Sequence, residues 1–209
     1  MSVDVAAEIN FQDQLVVDQN AAAALFMEAR TANSWTAEEI SDETLKAVYS
    51  LTRMGPTAMN IQPLRITWVR SAEARERLVS HMAQGNKGKT LTAPVVAILS
   101  YDTQWHEMLS TTAPHAASKA STFADNDALR HSMAEKNAHI QAGYFILAAR
   151  AAGLAAGPMT GFDTAGVDAE FNADKQCKAF MVVNLGRPNG VIDRERLHRL
   201  DSDVATATV

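Results

Sequence analysis

The sequence of 209 residues predicts an α+β fold, in which helices and strands are mixed without regular strand–helix–strand repeats. Three short apolar segments have the length and composition of strands: Leu64–Val69, residues 94–100 and residues 179–185. Longer segments with helical periodicity lie between and before them. Because the two kinds of segment do not alternate regularly, the sequence does not indicate a parallel α/β sheet.

The N-terminal part of the chain is predicted to be helical. Residues 1–17 show weak patterning and are expected to form an N-terminal arm. A first helix then reaches about Arg30, since apolar residues recur near the helical period from Val17 onward. Ser41 is expected to cap a second helix that ends before Gly55-Pro56. This second helix is predicted to turn four side chains inward: Leu45, Val48, Tyr49 and Thr52.

The remaining chain supplies the strands and one long helix. After the strand Leu64–Val69, Ser71 opens a short helix to about Ala83. Residues 94–100 are predicted to form a buried central strand, and residues 102–128 are irregular. A long helix is expected over residues 128–152, followed by the strand at 179–185. The inward stripe of the long helix is predicted to include Ile140, Tyr144, Leu147, Ala148 and Ala151.

Composition excludes several classes of protein. The formal net charge of −5 gives no general attraction to nucleic acid or to an anionic membrane surface. The single cysteine, Cys177, cannot form an internal disulfide, which fits a reducing compartment. The longest apolar run, residues 93–99, is far shorter than the about 20 residues that cross a bilayer. We therefore expect a cytoplasmic protein with no nucleic-acid or membrane partner, and, without repeats or linkers, a single domain over residues 18–209.

Two motifs suggest chemistry that their context does not support. Residues 83–90, AQGNKGKT, match a relaxed phosphate-loop pattern, but a helix is predicted before this loop and a strand after it, the reverse of the required order. His131, Glu135 and His139 lie four residues apart on one helical face and could hold a metal. The polar flank of an amphipathic helix explains them more simply, so no metal site is predicted.

Four separated segments carry a stronger signal. Residues 28–35 place Arg30 at a helix end among small and polar residues. Residues 55–63, GPTAMNIQP, form a tight loop rich in amide and hydroxyl groups before a strand. Residues 157–162, GPMTGF, are small enough to let the backbone lie against a flat ring. Residues 194–199 are a basic cluster in an acidic protein. Each segment taken singly is also typical of an ordinary turn or a solvated surface.

In this order, the four segments resemble the FMN-dependent nitroreductase family. The loop GPTAMNIQP is similar to the family's Pro-Ser-Ser-x-Asn-x-Gln-Pro signature, and residues 161–163 and 168–171 are similar to a second family stretch. The resemblance runs from about Phe26 to Arg199. Within the family the sequence looks closest to the malonic semialdehyde reductases of pyrimidine catabolism, through segments such as 69–73 and 157–159.

The resemblance implies a site for non-covalently bound FMN. Arg30, Arg196 and Arg199 would grip the phosphate, because a guanidinium binds phosphate oxygens bidentately. Asn86 and Lys89 would meet the pyrimidine edge, where a cation stabilises the reduced ring. The other implied contacts are Thr31, Ala32 and Ser34 next to Arg30, Pro158, Met159, Thr160 and Gly161 in a turn against the ring, and Pro56, Thr57, Ala58 and Asn60 from a second subunit.

The resemblance also implies an assembly and a reaction. The fold would be nitroreductase-like, with a central, mostly antiparallel sheet flanked by helices, in a domain-swapped homodimer with two FMN sites. NADH or NADPH would deliver hydride to the flavin and leave, and a small electrophile would accept it in a ping-pong cycle. Malonic semialdehyde, reduced to 3-hydroxypropionate, is the expected acceptor. Solvent could deliver the proton, so no catalytic residue is predicted.

Several alternatives stay open from the sequence. The enzyme could be a broad nitroaromatic or quinone reductase, the protein could bind flavin without turnover, or it could be a helical protein with no cofactor. The sequence departs from the family pattern at Ser34, at Thr57-Ala58 and at Thr160, and these positions bear on the choice of substrate more than on flavin binding. Candidates for binding a substrate carboxylate are Arg65, Arg130 and His115, and candidates for the C-terminal phosphate contacts are Arg194, Arg196, His198 and Arg199.

Overall fold

The computed structural model describes residues 14–190 and 196–209, and its centre is a four-stranded antiparallel sheet. The strands lie in the spatial order β1-β2-β4-β3, so that β1 and β3 form the edges. The predicted α+β class, with a mostly antiparallel sheet, is confirmed. The strands are β1 (Leu64–Val69), β2 (Val95–Asp102), β3 (Ala155–Met159) and β4 (Cys177–Gly186).

Helices cover both faces of the sheet. Two longer helices, α2 and α7, pack on one face, and three shorter helices, α3, α4 and α8, lie on the other. The helices are α1 (Gln19–Ala22, continued by a π-helical turn at Ala23–Met27), α2 (Asp42–Thr52), α3 (Ala72–His81), α4 (Gln84–Leu91), α5 (Leu109–Thr112), α6 (Ala120–Ala124), α7 (Asp127–Ala151), α8 (Thr164–Phe171) and α9 (Ser202–Ala205). Single 3₁₀ turns lie at Ala58–Asn60, Trp105–Met108 and Pro114–Lys119. In the described ranges, none of these helices has a stretch of the length and hydropathy that a bilayer crossing requires.

The central strand and the second helix form largely as predicted. β2 is buried at every position from Val95 to Ser100, because both faces of the sheet are covered. The Ser41 hydroxyl accepts a hydrogen bond from the Thr44 amide at 3.2 Å and caps α2. Three of the four predicted inward residues are buried, but Tyr49 is 45% exposed and that prediction is wrong.

The inward face of α7 differs from the predicted one. Of the predicted stripe, Ala148 is buried, whereas Ile140 is 47% exposed and Ala151 is exposed as well. The buried face instead carries small and polar residues, among them Asn137 and Gln141. These two side chains accept hydrogen bonds from backbone amides of the neighbouring segments, so a hydrophobic pattern cannot reveal them. As a result, Ile140 lies on the exposed side of α7, beside the polar residues Lys136 and His139.

Several elements, α8 among them, were not predicted, and two others replace a predicted loop and a predicted turn. Residues 84–91 form the helix α4 where a loop was expected; its two glycines lower helix propensity, and no side chain caps it. The segment Gly157-Pro158-Met159 belongs to the strand β3 rather than to a turn. Proline is tolerated there because β3 is an edge strand and one of its sides needs no amide donor.

Candidate functional site

Arg30 and Arg196 converge at the end of the first helix, although they lie near opposite ends of the chain. Arg30 Nη1 donates hydrogen bonds to the carbonyls of Met27 at 3.0 Å and Ala29 at 3.1 Å. Arg196 Nη2 donates to the same two carbonyls, at 2.5 and 3.1 Å. Two guanidinium groups that share carbonyl oxygens lie side by side, so the fold brings the predicted phosphate-binding residues together.

Two further arginines extend this concentration of positive charge. Arg150, in the last turn of α7, donates to the Leu25 carbonyl at 2.8 Å, and burial lowers its pKa. The pKa of Arg196 is lowered by burial and by the positive charges of Arg30, Arg199 and Arg150. Among the described residues, no carboxylate forms an ion pair with any of these four, here called the arginine cluster. Such an uncompensated cluster favours a bound anion, and phosphate matches guanidinium geometry.

The C-terminal members of the cluster are placed differently. Arg196 is anchored on the first helix, whereas Arg199 is exposed and donates to the nearby Leu197 carbonyl at 2.9 Å. Arg194 lies outside the described residues. Sequence reasoning missed Arg150, which belongs to no motif. The available signal was an arginine set among alanines near the end of a long helix.

The segment after Arg30 runs along β3 toward α4. A Cβ added at Gly157 would lie 3.5 Å from the Ala32 carbonyl oxygen and 3.8 Å from Thr31 Cγ2, so the strand and the segment approach closely. Farther along, Trp35 Nε1 donates to the Lys89 carbonyl at 3.1 Å. Thr31, Ala32 and Lys89 therefore lie on one side of the sheet, next to the arginine cluster, and Ser34 lies in the same segment.

The turn after β3 contacts α4 directly. The Gly161 carbonyl accepts hydrogen bonds from Asn86 Nδ2 and from the Ala83 amide, each at 3.0 Å. The Gly161 amide has no hydrogen-bond acceptor within the described part of the chain. Pro158 and Thr160 are exposed, so this turn presents small residues and a free amide at the surface.

A buried amide below the turn was not predicted. Met159 Sδ lies 3.9 Å from Thr90 Oγ1 and 4.0 Å from Asn184 Nδ2. Asn184 is fully buried, and among the described residues its Oδ1 atom has no hydrogen-bond partner. Because buried polar atoms are rarely unpaired, this atom indicates a site that a ligand or solvent completes.

The loop at residues 56–60 lies elsewhere. It leads into β1, whose first residue, Leu64, pairs with Tyr101 near the end of β2. The helix α4 leads into Val95 at the opposite end of β2, roughly 20 Å from Tyr101 at about 3.4 Å per residue. Within one chain, the structure therefore does not bring Pro56, Thr57, Ala58 and Asn60 to the other predicted contacts.

The same loop is strained and internally braced. Met59, Asn60 and Gln62 adopt φ angles of 50°, 55° and 40°, which non-glycine residues rarely do. Thr57 Oγ1 accepts from the Gln62 amide at 3.2 Å, and Asn60 Oδ1 accepts from Gln62 Nε2 at 3.0 Å. The Thr57 hydroxyl is thus used inside the loop. Strain of this kind persists where surrounding contacts enforce it and is often associated with binding sites.

Two of the three candidates for carboxylate recognition are already engaged. Arg130 is buried, donates to the Thr103 and Phe123 carbonyls at 2.8 Å each, and braces the chain around α7, so its proposed role is wrong. Arg65 is paired with Asp102 at 2.5 Å. His115 lies in the 3₁₀ turn Pro114–Lys119 and is exposed. Within the two described ranges, no three His, Cys, Asp or Glu side chains are grouped as metal ligands.

Known proteins share this architecture and this sequence pattern. The nitroreductase family model matches residues 27–187. Proteins from Streptomyces griseus and Leptothrix cholodnii, each described as "Putative NADH dehydrogenase/NAD(P)H nitroreductase", are 50% and 47% identical over 93% and 92% of this chain, covering 99% and 98% of their own lengths.

Solved structures agree with the sequence match. A Bacillus subtilis "putative nitroreductase" superimposes with a TM-score of 0.81 at 22% identity, covering 92% of this chain and all of its own. An Exiguobacterium sibiricum "putative nitroreductase" in complex with FMN gives 0.78 at 17% identity, covering 94% and 99%. The fold defines a nitroreductase-like α+β protein, and the chain belongs to the nitroreductase family.

Proposed function

We propose that this chain is an NAD(P)H-dependent FMN oxidoreductase that reduces malonic semialdehyde or a similarly small electrophile. The arginine cluster is the observation that carries the proposal, because four guanidinium groups without a carboxylate partner among the described residues suit a phosphate. Membership of the nitroreductase family and the NAD(P)H nitroreductase names of its relatives support the enzyme class. Bound FMN would supply hydride transfer, and NADH or NADPH would serve as the transient reductant.

Each part of the site has a role in this proposal. The arginine cluster holds the phosphate, with each charge-assisted hydrogen bond contributing about 1.5–3 kcal/mol. Lys89 and Asn86 hold the pyrimidine edge, and Lys89 offers a cation to the reduced ring. The free Gly161 amide donates to the ring, and the small residues beside it leave one ring face open to substrate. The remaining cofactor contacts are Thr31, Ala32, Ser34, Pro158, Met159 and Thr160.

We also infer that the protein is a domain-swapped homodimer. Ile140 on α7 is 47% exposed, and Leu51 and Met54, in and just after α2, are 52% and 75% exposed. The tail exposes Leu197 at 81% and Leu200 at 72%. Exposed apolar groups of this size favour association. A second copy would also give the braced loop, with Pro56, Thr57, Ala58 and Asn60, a flavin to contact.

The choice of acceptor depends on which cations are free to bind a substrate carboxylate. With Arg130 buried and Arg65 paired, His115 is the remaining candidate for binding a substrate carboxylate. Because Arg130 and Arg65 are engaged elsewhere, the second candidate function is a reductase of flat nitroaromatics or quinones. These substrates have no carboxylate that a cation must bind. Either reaction fits the cytoplasm, where NAD(P)H is available.

Anaerobic kinetics separates these functions. We expect NADPH or NADH to bleach the visible flavin absorbance, and malonic semialdehyde to restore it with a kcat/KM at least about tenfold above that of a nitroaromatic. The reverse ranking would identify a nitroaromatic reductase, and no bleaching would identify a flavin-binding protein without turnover. His115→Gln should raise KM for the aldehyde-acid and leave the nitroaromatic unaffected.

A further inference from the structure

The Glu170 carboxylate on α8 is hydrogen-bonded to two basic side chains of α3, His81 and Arg77, and so joins the two helices. His81 Nε2 lies 2.7 Å from Glu170 Oε2, and Arg77 Nε donates to Glu170 Oε1 at 2.7 Å. The His81 and Glu170 side chains are 21% and 28% exposed, so both are largely shielded. The hydrogen bond from His81, followed by that from Arg77, holds the pKa of Glu170 below its usual value. Glu170 is therefore ionised and held on both oxygens.

The His81 imidazole packs closely against α8 at Gly166. A Cβ added at Gly166 would lie 2.3 Å from His81 Nδ1 and 2.6 Å from Asp163 Oδ2. A side chain at position 166 would therefore displace the ring. The helix itself is fixed on the sheet, since Asp168 Oδ1 accepts from the Ala179 amide of β4 at 2.8 Å. His81 is thus positioned by an element that does not move freely.

The backbone around His81 holds the turn that follows β3. The His81 carbonyl accepts from the Asp163 amide at 2.8 Å, and the Ala83 amide donates to the Gly161 carbonyl at 3.0 Å. Between them, Met82 and Phe162 form an antiparallel bridge. Three residues after Ala83, Asn86 donates to the same Gly161 carbonyl. A displacement of His81 would therefore move the Gly161 amide.

We propose that His81 and Glu170 are positioning residues that fix the Gly161 turn against the flavin. This role rests on the proposed FMN site. Neither residue is a catalytic residue, since they act through backbone contacts with the turn. Their pairing sets where the Gly161 amide points, and hence how tightly the flavin is held and what electronic environment its ring meets.

Glu170→Ala and Glu170→Gln in the full-length protein test the proposal, with Glu73→Ala as the matched control. Glu73 also pairs with Arg77, at 3.2 Å, but is 84% exposed on the far side of that guanidinium. We expect Glu170→Ala to weaken FMN binding to the apoprotein at least about fivefold and to shift the flavin midpoint potential. Glu170→Gln, which can still accept from His81, should restore most of both properties, and Glu73→Ala should match wild type.

A second variant covers the case in which Glu170→Ala does not fold. His81→Phe keeps a ring against Gly166 but cannot bond to Glu170, and it should reproduce the weakened FMN binding and the shifted potential. Wild-type affinity and potential in Glu170→Ala or in His81→Phe would overturn the positioning role. Wild-type protein is titrated first: if it binds no FMN, the proposed function fails and this role fails with it. Normal wild-type binding with unchanged variants refutes the positioning role without touching the function.

Discussion

Asn86 donates its side-chain amide to the carbonyl oxygen of Gly161 at 3.0 Å and so joins α4 to the turn after β3. Lys89 lies three residues farther along α4, on the same side of the helix as Asn86. Asn86 and Lys89, which are assigned to the pyrimidine edge of the flavin, and the Gly161 backbone, which is assigned to its ring, are therefore parts of one connected surface. Substitutions at this surface and at the arginine cluster have distinct expected effects.

Arg150→Met should have opposite effects on the free and the loaded protein. Removing a partly buried charge from a crowded cluster relieves repulsion, so the apoprotein should be as stable as wild type or more so. FMN affinity should fall about tenfold, because one phosphate contact of about 1.5 kcal/mol is lost. Thermal unfolding of the apoprotein and FMN titration check the two signs. A destabilised apoprotein with unchanged FMN affinity would show that Arg150 is purely structural.

Gly166→Ala should destabilise the protein by about 1–3 kcal/mol, because the new methyl group would collide with the His81 ring. Gly88→Ala is the control, since that position also lies in a helix but has open space around its Cα. It should stabilise the apoprotein by roughly 0.5–1 kcal/mol. Chemical denaturation of both apoproteins measures the difference. Equal stability of the two variants would contradict the close approach of His81 to α8.

The Glu170 carboxylate should contribute to stability in a defined pH range. Its folded-state pKa lies below the ordinary value of 4.5, so its contribution is present above that value and is lost as the pH falls through the folded-state pKa. The stability advantage of wild type over Glu170→Gln should therefore hold at pH values above about 4.5 and shrink as the pH falls below that value. Urea unfolding across this range measures it. A constant difference would mean that the carboxylate is not held ionised by His81 and Arg77.

Ile140→Glu should separate the inferred dimer into monomers, since a carboxylate at this exposed apolar position of α7 would become buried in the dimer interface. The monomer should also lose FMN, because each loop at residues 56–60 would no longer face the second chain. Light scattering combined with flavin absorbance follows both properties. Glu135→Lys changes the charge at an exposed position about 140° around α7 from Ile140 and should remain dimeric. A wild-type protein that is monomeric and yellow would refute the assembly.

Local signals explain which parts of the fold could be predicted. The strand Leu64–Val69 and the cap at Ser41 depend on residues close in sequence. The strand was predicted with its correct bounds, and the cap was predicted at the correct residue. The buried face of α7 carries Asn137 and Gln141, whose side chains accept hydrogen bonds from backbone amides that are distant in the sequence. The spacing of apolar residues cannot reveal such contacts. The helix α4 was missed because its two glycines lower the helix propensity of a segment that tertiary contacts stabilise.

The candidate site shows the same division. Arg30 and Arg196 were predicted by resemblance, and the fold places them on shared carbonyls. The sequence could not identify Arg150 and Asn184 as site residues. Their surroundings are set by residues that are distant in the sequence and become neighbours only in the folded chain. The role assigned to Arg130 failed for that reason too, since its partners are backbone carbonyls around α7.

Comparing FMN with riboflavin tests whether the arginine cluster holds the phosphate of FMN. The wild-type apoprotein should bind FMN at least about 100-fold more tightly than riboflavin, since several charge-assisted bonds are lost without the phosphate. Arg196→Met should weaken FMN binding about 10- to 100-fold and leave riboflavin binding unchanged. Arg187→Met, which removes an arginine paired with Glu38 outside the cluster, should match wild type. Equal affinity of the wild-type apoprotein for FMN and riboflavin would contradict the account.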